Sequence, residues 1–319
     1  MAILNYLYNS LLLVLYSVTM ALAYNYAYKE KKESQGQFFF VLGLYLLFFI
    51  FDNVIVSLTE VFTSFAHIYN KESMGMPLVK TLIYTVNNFC QLWLLRRLTG
   101  KTIHPVQWLI LIFITSWMVV IPLFSSSALA VYLYYLPNQL LLLYLAGLAW
   151  YQKKKLKKAQ SLVSKYLTWI GFICLIFGLL ILLEDSFVIF RVDSYHSLNV
   201  KIQNRNFSQD IFNLCVCLLA IRYFLLDYPK KKLRNEKTNS LLARKEEAFF
   251  SHYRLTQREC EICQLLLEHK NNQEIADTLF LSIGTVKAHI HNIYLKMAIH
   301  HRDEIYVLFD NFKSTSHSL

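Results

Sequence analysis

Seven apolar segments, each about as long as a lipid bilayer's hydrocarbon core is thick, dominate the first 226 residues. A helix needs roughly 20 predominantly apolar residues to cross that core. Ordinary globular domains rarely contain such runs. The overall content of 55% hydrophobic residues is sufficient for several of them. The sequence predicts spans near residues 6–28, 38–63, 78–98, 106–127, 128–150, 166–190 and 209–226.

Positively charged residues alternate between the connections of these predicted spans. Clusters follow the first, third, fifth and seventh spans, and connections rich in Lys and Arg stay on the cytoplasmic side. We therefore expect a multi-pass protein of the cell membrane, with its N-terminus outside and its C-terminus in the cytoplasm. The clusters are Lys29, Lys31 and Lys32; Arg96, Arg97 and Lys101; Lys153, Lys154, Lys155, Lys157, Lys158 and Lys165; and Lys230, Lys231, Lys232 and Arg234.

One alternative concerns the first segment, because Ala21-Leu22-Ala23 resembles the cleavage site of a secretory signal peptide. Such a peptide carries positive charge at its start, whereas the first ten residues here have none. Cleavage would also leave six spans and place the C-terminus outside, against the distribution of the basic loops. We therefore expect the first segment to remain as a membrane helix.

Charge and cysteine content exclude two simple interpretations. The formal net charge of +11 suggests a nucleic-acid ligand, but residues 251–319 contain seven Lys or Arg and eight Asp or Glu. The basic excess therefore reports membrane orientation. Four of the six cysteines lie in apolar spans, and Cys260 and Cys263 lack the further ligands of a zinc site. We expect no metal and no cofactor.

Three helix starts are recognisable in the C-terminal part of the chain from their capping residues. Thr256 and Glu259 form a capping box, in which each side chain bonds to the other residue's backbone amide. Asn271 and Glu274 repeat the pattern, and Ser282 caps a third helix. Apolar residues recur at helical spacing behind each cap. The short connection before Ser282 requires a steep crossing, which predicts a helix-turn-helix.

Beyond the capping residues, the C-terminal part of the chain contains a longer motif. Its residues, in order, are Leu255-Thr256-x-Arg258-Glu259, Asn272-x-Glu274-Ile275-Ala276, Leu279, Ser282, Thr285-Val286-Lys287-x-His289, Asn292-Ile293 and Lys296. With this set, about the last 65 residues resemble the LuxR/GerE-type helix-turn-helix family. The resemblance implies a four-helix domain whose third helix enters the major groove of DNA. It also implies that the last helix, around Arg302–Phe312, supports a homodimer on a two-fold symmetric site.

By the same resemblance, Lys287, Ala288 and His291 look like the residues that face the DNA bases, and they share one helical face. Lys287 can donate to guanine, and a small Ala288 permits contact with a thymine methyl group. The alternative for Lys287 and Lys296 is that they lie on a solvent-exposed helix face and contact no DNA. Phosphate contacts, which position the protein without reading sequence, are expected from Gln273, Ser282, Thr285 and Lys296.

Two histidines depart from the family pattern. Family members usually have glycine after the first helix, where the chain turns left-handed, and this chain has His269. Histidine tolerates that backbone conformation better than most residues. His291 stands where a basic residue is often found, so the charge there depends on pH.

Polar residues interrupt several predicted spans at mid-depth or toward the outer face. Ionisable residues within a membrane are costly and usually mark a functional site. The alternative is that Asn and Gln join helices and that the acids reach interfacial water. The functional interpretation predicts a polar, net acidic pocket for a cationic or hydrogen-bonding small molecule. Its residues are Asp52, Asn53, Asn87, Asn88, Asn138, Gln139, Glu184 and Asp185.

Together these features predict an all-α protein with a polytopic membrane bundle of seven transmembrane helices and a four-helix helix-turn-helix domain. The bundle occupies residues 1–226, a cytoplasmic linker 227–250 and the DNA-binding domain 251–319. We expect a non-enzymatic, one-component transcriptional regulator that binds double-stranded promoter DNA under control of a signal sensed in the lipid bilayer. The alternative is a transporter-like or partner-binding membrane protein with an appended regulatory domain.

Overall fold

The computed structural model describes residues 2–31, 34–73, 76–124, 127–156, 161–195 and 200–312. It divides into an N-terminal unit, Met1–Leu226, and a C-terminal unit, Asp227–Leu319. Helices account for nearly all of the described structure, which confirms the all-α prediction. Of the residues used to predict orientation, Lys32, Lys157 and Lys158 lie outside the described ranges.

The N-terminal unit is built from long helices and one minimal hairpin. Short π-helical turns at Val188–Val192 and Tyr223–Asp227 follow its last two long helices. Strands β1 (Ser194–Tyr195) and β2 (Val200–Lys201) pair antiparallel between those helices. The helices are α1 (Ala2–Lys29), α2 (Ser34–Val61), α3 (Thr63–Ser73), α4 (Leu78–Arg97), α5 (Pro105–Phe124), α6 (Ala128–Lys154), α7 (Ser161–Phe187) and α8 (Phe207–Arg222).

Within the described residues, six helices are long and apolar enough to cross a membrane. The predicted third span, α4, is not among them because Lys80, Asn87 and Asn88 lower its average hydropathy. The predicted count of seven spans is therefore not confirmed. The six helices are Asn5–Lys29, Gln35–Val61, Pro105–Phe124, Ala128–Lys154, Ser161–Val192 and Phe207–His252.

Helix α4 is enclosed by its neighbours although it is the most polar of the long helices of the N-terminal unit. It packs against α2, α5 and α6. The Asn88 amide donates to Asn138 Oδ1 of α6 at 2.6 Å, and the Thr81 and Tyr134 hydroxyls lie 2.8 Å apart. Polar groups removed from water are costly unless they find such partners. Several polar residues of α4 thus face the interior of the unit, where side chains of other helices satisfy part of their hydrogen-bonding capacity.

The C-terminal unit consists of α9 (Tyr228–His252), α10 (Gln257–Leu267), α11 (Asn272–Leu279), α12 (Ile283–Met297) and α13 (Arg302–Asn311). Its core includes Ile262, Leu266 and Ile275, all fully buried. Phe249 of α9 is also fully buried, with the Phe309 and Phe312 rings centred 5.2 and 5.3 Å away. The end of α9 therefore belongs to this core.

A close approach of α7 to α6 gives a stability prediction. A Cβ on Gly171 would lie 2.4 Å from Trp150 Nε1, whereas a Cβ on Gly147 would meet no described atom within 4 Å. We expect Gly171→Ala to destabilise the protein by about 1–3 kcal/mol through overpacking. Gly147→Ala should be neutral or slightly stabilising, because it removes only the entropic cost of glycine.

The measurement is thermal unfolding of the purified full chain in detergent, with the two alanine variants compared directly. Equal unfolding temperatures for the two variants would show that Trp150 yields without cost and that the approach of α7 to α6 is not tight.

Candidate functional site

Helix α12, the fourth helix of the C-terminal unit, begins where the capping pattern predicts. The Ser282 Oγ accepts from the Thr285 amide at 3.0 Å. Earlier in the chain, Thr256 with Glu259 and Asn271 with Glu274 form complete reciprocal capping boxes. These bonds satisfy first-turn amides that a helix leaves unpaired. The three predicted helix starts are confirmed.

A left-handed residue makes the connection between α11 and α12 tight. Phe280 has a φ of +55° and ends α11. The Leu281 amide then donates to Ala276 O at 2.9 Å, and the next residue caps α12. Buried Ala276 and Val286 lie in the shared core of this helix pair. The pair has the short connection and packed interior of a helix-turn-helix.

The side chains predicted to face DNA bases lie on the solvent side of α12. Lys287, Ala288 and His291 are exposed, whereas Val286 and Ile290 on the opposite side are buried. The helical period therefore separates a reading face from a packing face. An exposed face with a lysine, a small residue and a histidine offers hydrogen-bond donors and close access to base edges.

The residues predicted to contact phosphate divide into two groups. Gln273, Ser282 and Thr285 are exposed around the start of α11 and α12, and the Ser282 and Thr285 hydroxyls lie 2.8 Å apart. Lys296 is already engaged within the unit. Its ammonium donates to Glu259 Oε2 at 2.5 Å and to Arg254 O at 3.0 Å.

This Lys296–Glu259 pair joins the last turn of α12 to the first turn of α10. Glu259 is only 4% exposed and also accepts from the Thr256 amide at 2.8 Å. Burial raises the pKa of Glu259, but the hydrogen bonds from Lys296 and Thr256 outweigh it, and the net pKa is lowered. The sequence could not show this pairing, because the residues are far apart in the chain.

His269 occupies the position where the family usually has glycine. Its φ of +64° is left-handed, as predicted. Its ring stacks on Tyr306 with centroids 4.3 Å apart, and the Tyr306 hydroxyl donates to Leu266 O at 3.0 Å. These contacts offset the strain of a left-handed residue that has a side chain.

The two cysteines of the C-terminal unit, Cys260 and Cys263, are free thiols in α10. Burial raises the pKa of Cys263 to about 12 and also raises that of Cys260, so both thiols are protonated near neutral pH. Across the described ranges of the chain, no group of three or more His, Cys, Asp or Glu side chains is placed to hold a metal ion.

In the N-terminal unit, the predicted intramembrane polar residues separate into pairs. Asn88 bonds to Asn138, as described above, and the Gln139 amide donates to Asp185. Glu184 caps α8 by accepting from the Phe207 and Ser208 amides at 2.8 Å each. These contacts join helices, which is the structural interpretation of such residues.

Asp52, Asn53 and Asn87 are less fully paired than the other members of the predicted set. Asp52 Oδ1 lies 3.9 Å from the Lys80 ammonium, beyond hydrogen-bonding range. Asn53 is 5% exposed, and neither polar atom of its amide has a hydrogen-bond partner among the described residues. The Asn87 Oδ1 also lacks one within that part of the chain. Gln139 Oε1 is likewise without a hydrogen-bond partner among the described residues, so these four members of the predicted set have unused hydrogen-bonding capacity.

Two buried cations, Lys80 and Arg205, were not predicted as part of this region. Arg205 is 6% exposed and bonds to Glu60 at 2.6 Å, to Asp210 at 2.5 Å and to Asn9. The signal that could have found it is the presence of acids in apolar spans, since buried acids require a counter-charge.

Lys80 and Arg205 line two small polar cavities of about 30 and 50 Å³. Asp52 and Asn53 line the first, and Glu184 and Asp185 line the second. About 10–15 Å³ of such volume is enough for one water molecule. In this conformation, the cavities therefore have room for a few waters or a very small polar ligand, and their acids are partly balanced by buried cations.

The Lys296–Glu259 pair gives a stability prediction. Lys296→Met would leave a buried carboxylate without its strongest donor, at a cost of about 1–3 kcal/mol. Lys287→Met, on the exposed face of the same helix, should cost almost nothing. The measurement is amide hydrogen exchange of α10 in the full chain, which should accelerate in the first variant only. Equal protection in both would show that the pair contributes no stability.

Acid should weaken the same contact. The folded-state pKa of Glu259 lies below its unfolded value of about 4.3. Its ionised form therefore stabilises the fold above that value, and this contribution is lost as pH falls through the lowered pKa. Protection of α10 should decline below about pH 4 in the wild type. Glu259→Gln should flatten that decline. If the variant shows the same loss of protection in acid as the wild type, other titrating groups cause the decline.

Three curated relatives match the C-terminal part of the chain. Transcriptional regulatory protein LiaR of Bacillus subtilis (strain 168) is 43% identical over 68 residues, 21% of this chain and 32% of LiaR. Transcriptional regulatory protein DegU of Brevibacillus brevis is 42% identical over 53 residues, 17% of this chain and 22% of DegU. Spore germination protein GerE of Bacillus subtilis (strain 168) is 41% identical over 63 residues, 20% of this chain and 85% of GerE.

The chain therefore spans about a third or less of LiaR and DegU but most of GerE. No solved structure matches the chain. The family model described as bacterial regulatory proteins, luxR family, matches residues 253–309. This agreement confirms the resemblance predicted from the sequence: through its C-terminal domain, the chain belongs to the luxR family of bacterial regulatory proteins.

Proposed function

We propose that this protein is a one-component transcriptional regulator embedded in the cell membrane, which binds promoter DNA through α12 under control of a signal sensed by Met1–Leu226. The observation that carries the proposal is the joining of a luxR-type domain to six helices apolar enough to cross a membrane. LiaR and DegU are named transcriptional regulatory proteins, which supports the same output here.

For the DNA contacts, we assign base reading to Lys287, Ala288 and His291. Gln273, Ser282 and Thr285 remain as phosphate contacts, because they are exposed beside the helix starts. Lys296 takes a supporting role, since a phosphate would have to displace Glu259 from its ammonium.

Two copies are proposed to act together on DNA. Residues 251–319 carry slightly more acidic than basic residues, so phosphate neutralisation by a single copy is modest. A homodimer through α13 would place two reading helices on a two-fold symmetric site, and linkage of two modules raises the effective affinity. Helix α9, whose end is packed into the core of the C-terminal unit, is the segment through which a signal would alter this pairing.

For sensing, we propose the polar region around Asp52, Asn53, Lys80 and Arg205. Its unpaired Asn53 amide and its long Asp52–Lys80 contact leave donors and acceptors available. Because two cations are buried there, a ligand with both donor and acceptor groups fits better than a simple cation. The rival functions, transport and the binding of a membrane partner, predict substrate uptake into proteoliposomes or stable co-purification of that partner.

Loss of a base contact tests the DNA-binding role. Lys287→Ala should reduce promoter occupancy in genome-wide DNA crosslinking by about tenfold, because one good base contact contributes about 1–3 kcal/mol. Lys237→Ala, which removes an exposed lysine from α9, is the charge-matched control and should leave occupancy unchanged. Wild-type occupancy and target expression in the Lys287 variant would refute the assignment.

Membrane orientation is tested by reporter fusions after Ser73, after Lys101 and at the C-terminus. If α4 crosses the membrane, which gives seven spans in all, the Ser73 fusion reports from outside the cell. The Lys101 and C-terminal fusions then report from the cytoplasm. If the Ser73 and Lys101 fusions report from the same side of the membrane, α4 does not cross it. A C-terminal reporter active only outside would overturn the cytoplasmic placement of the DNA-binding domain.

A further inference from the structure

A third cavity of about 150 Å³ lies among α2, α4, α6, α7 and α8 of the N-terminal unit. It shares no lining residue with the two polar cavities. Almost all of the surface that faces it is apolar, with Leu42, Leu94, Ile173, Phe212 and Val216 among the lining side chains. It is therefore chemically distinct from the polar region proposed for sensing.

The size and the lining of this cavity define what could occupy it. Protein interiors are packed about as densely as organic crystals, and this cavity, although partly open, leaves an apolar volume unfilled and its lining without contacts on one side. An engineered apolar cavity of about 150 Å³ in another protein stays dry and binds benzene or xenon. The matching occupant is an apolar group of about one aromatic ring or a short alkyl segment.

One polar side chain in the lining, Gln91, favours an occupant with a hydrogen-bond donor. The Gln91 side-chain amide donates to the Tyr45 hydroxyl at 2.7 Å, and Tyr45 is 3% exposed. The Gln91 Oε1 is buried and has no hydrogen-bond partner among the described residues. A buried acceptor without a donor is costly. An occupant with one O–H or N–H group would relieve that cost.

We propose that this cavity binds a small, mainly apolar molecule that carries one hydrogen-bond donor for Gln91. The lining also includes Tyr223, whose ring packs edge-on against Tyr166 at 5.5 Å. Tyr223 begins the π-helical turn Tyr223–Asp227, and such turns are rare and frequent at functional sites. Binding does not require DNA-binding activity; only an effect of the occupant on transcription rests on the function proposed above.

The test uses the full chain, purified in detergent and titrated with benzene and with phenol. Ligand-observed NMR gives the affinity, and thermal unfolding gives the stabilisation. Ala220→Leu places a larger side chain into the cavity from α8 and should weaken both probes by at least about tenfold. Leu218→Phe, at an outward position of the same helix (54% exposed), is the matched control and should bind both probes like the wild type.

A second variant tests the hydrogen bond. Phenol should bind the wild type about tenfold more tightly than benzene, as expected for a satisfied buried acceptor. Gln91→Leu should remove that preference while benzene still binds. If Ala220→Leu does not yield a monodisperse protein, Cys174→Leu fills the same cavity from α7. A phenol preference that survives in Gln91→Leu would overturn the assigned role of Gln91.

The natural occupant could come from the membrane or from solution. An acyl lipid that is retained through purification and displaced by benzene would identify the bilayer as the source. Saturable benzene binding without such a lipid would identify a free molecule, and either result supports the site. The proposal fails if neither probe binds saturably, or if Ala220→Leu and the wild type bind both probes equally.

Discussion

The guanidinium of Arg205 is the interaction on which the arrangement of the N-terminal unit depends. It joins Asn9 of α1 and Glu60 of α2, the first two helices of the chain, to Asp210 at the start of α8, about 150 residues later. A buried cation is tolerated only with such counter-charges, and removal of one partner leaves an uncompensated charge. The cluster therefore fixes where these helices meet. Arg205 and Lys80 also line the two neighbouring polar cavities.

Hydrogen bonds organise the C-terminal unit over much shorter distances. Capping boxes set the starts of α10 and α11, and Ser282 sets the start of α12. The Lys296–Glu259 contact then holds the end of α12 against the start of α10. These contacts fix the helix backbones. They therefore also fix the position of the exposed face with Lys287 and His291, so that these two side chains need no stabilising contact of their own. Stability and DNA reading are thus assigned to different lysines of one helix.

The sequence predicted features that depend on local chemistry and missed those that depend on distant pairing. The helix starts and the left-handed His269 follow from residues within one or two turns, and all were predicted correctly. Arg205 and Lys80 were not predicted as part of the polar region, because a charge count along the chain does not show which acids approach them. The span count was not confirmed because hydropathy averaged over α4 ignores the partners that enclose it. The apolar cavity has no sequence signal, since its lining comes from five helices.

The polarity of α4 has a consequence for how the protein is made. Under the proposed membrane placement, α4 enters the bilayer while Asn88 still lacks its partner Asn138, which lies fifty positions later on α6. Until α6 is synthesised, α4 is only marginally stable in lipid. It must be retained by the insertion machinery or by α2. Assembly of the bundle is therefore cooperative across several helices. Substitutions at Asn138 would reduce the amount of inserted protein before any question of signalling arises.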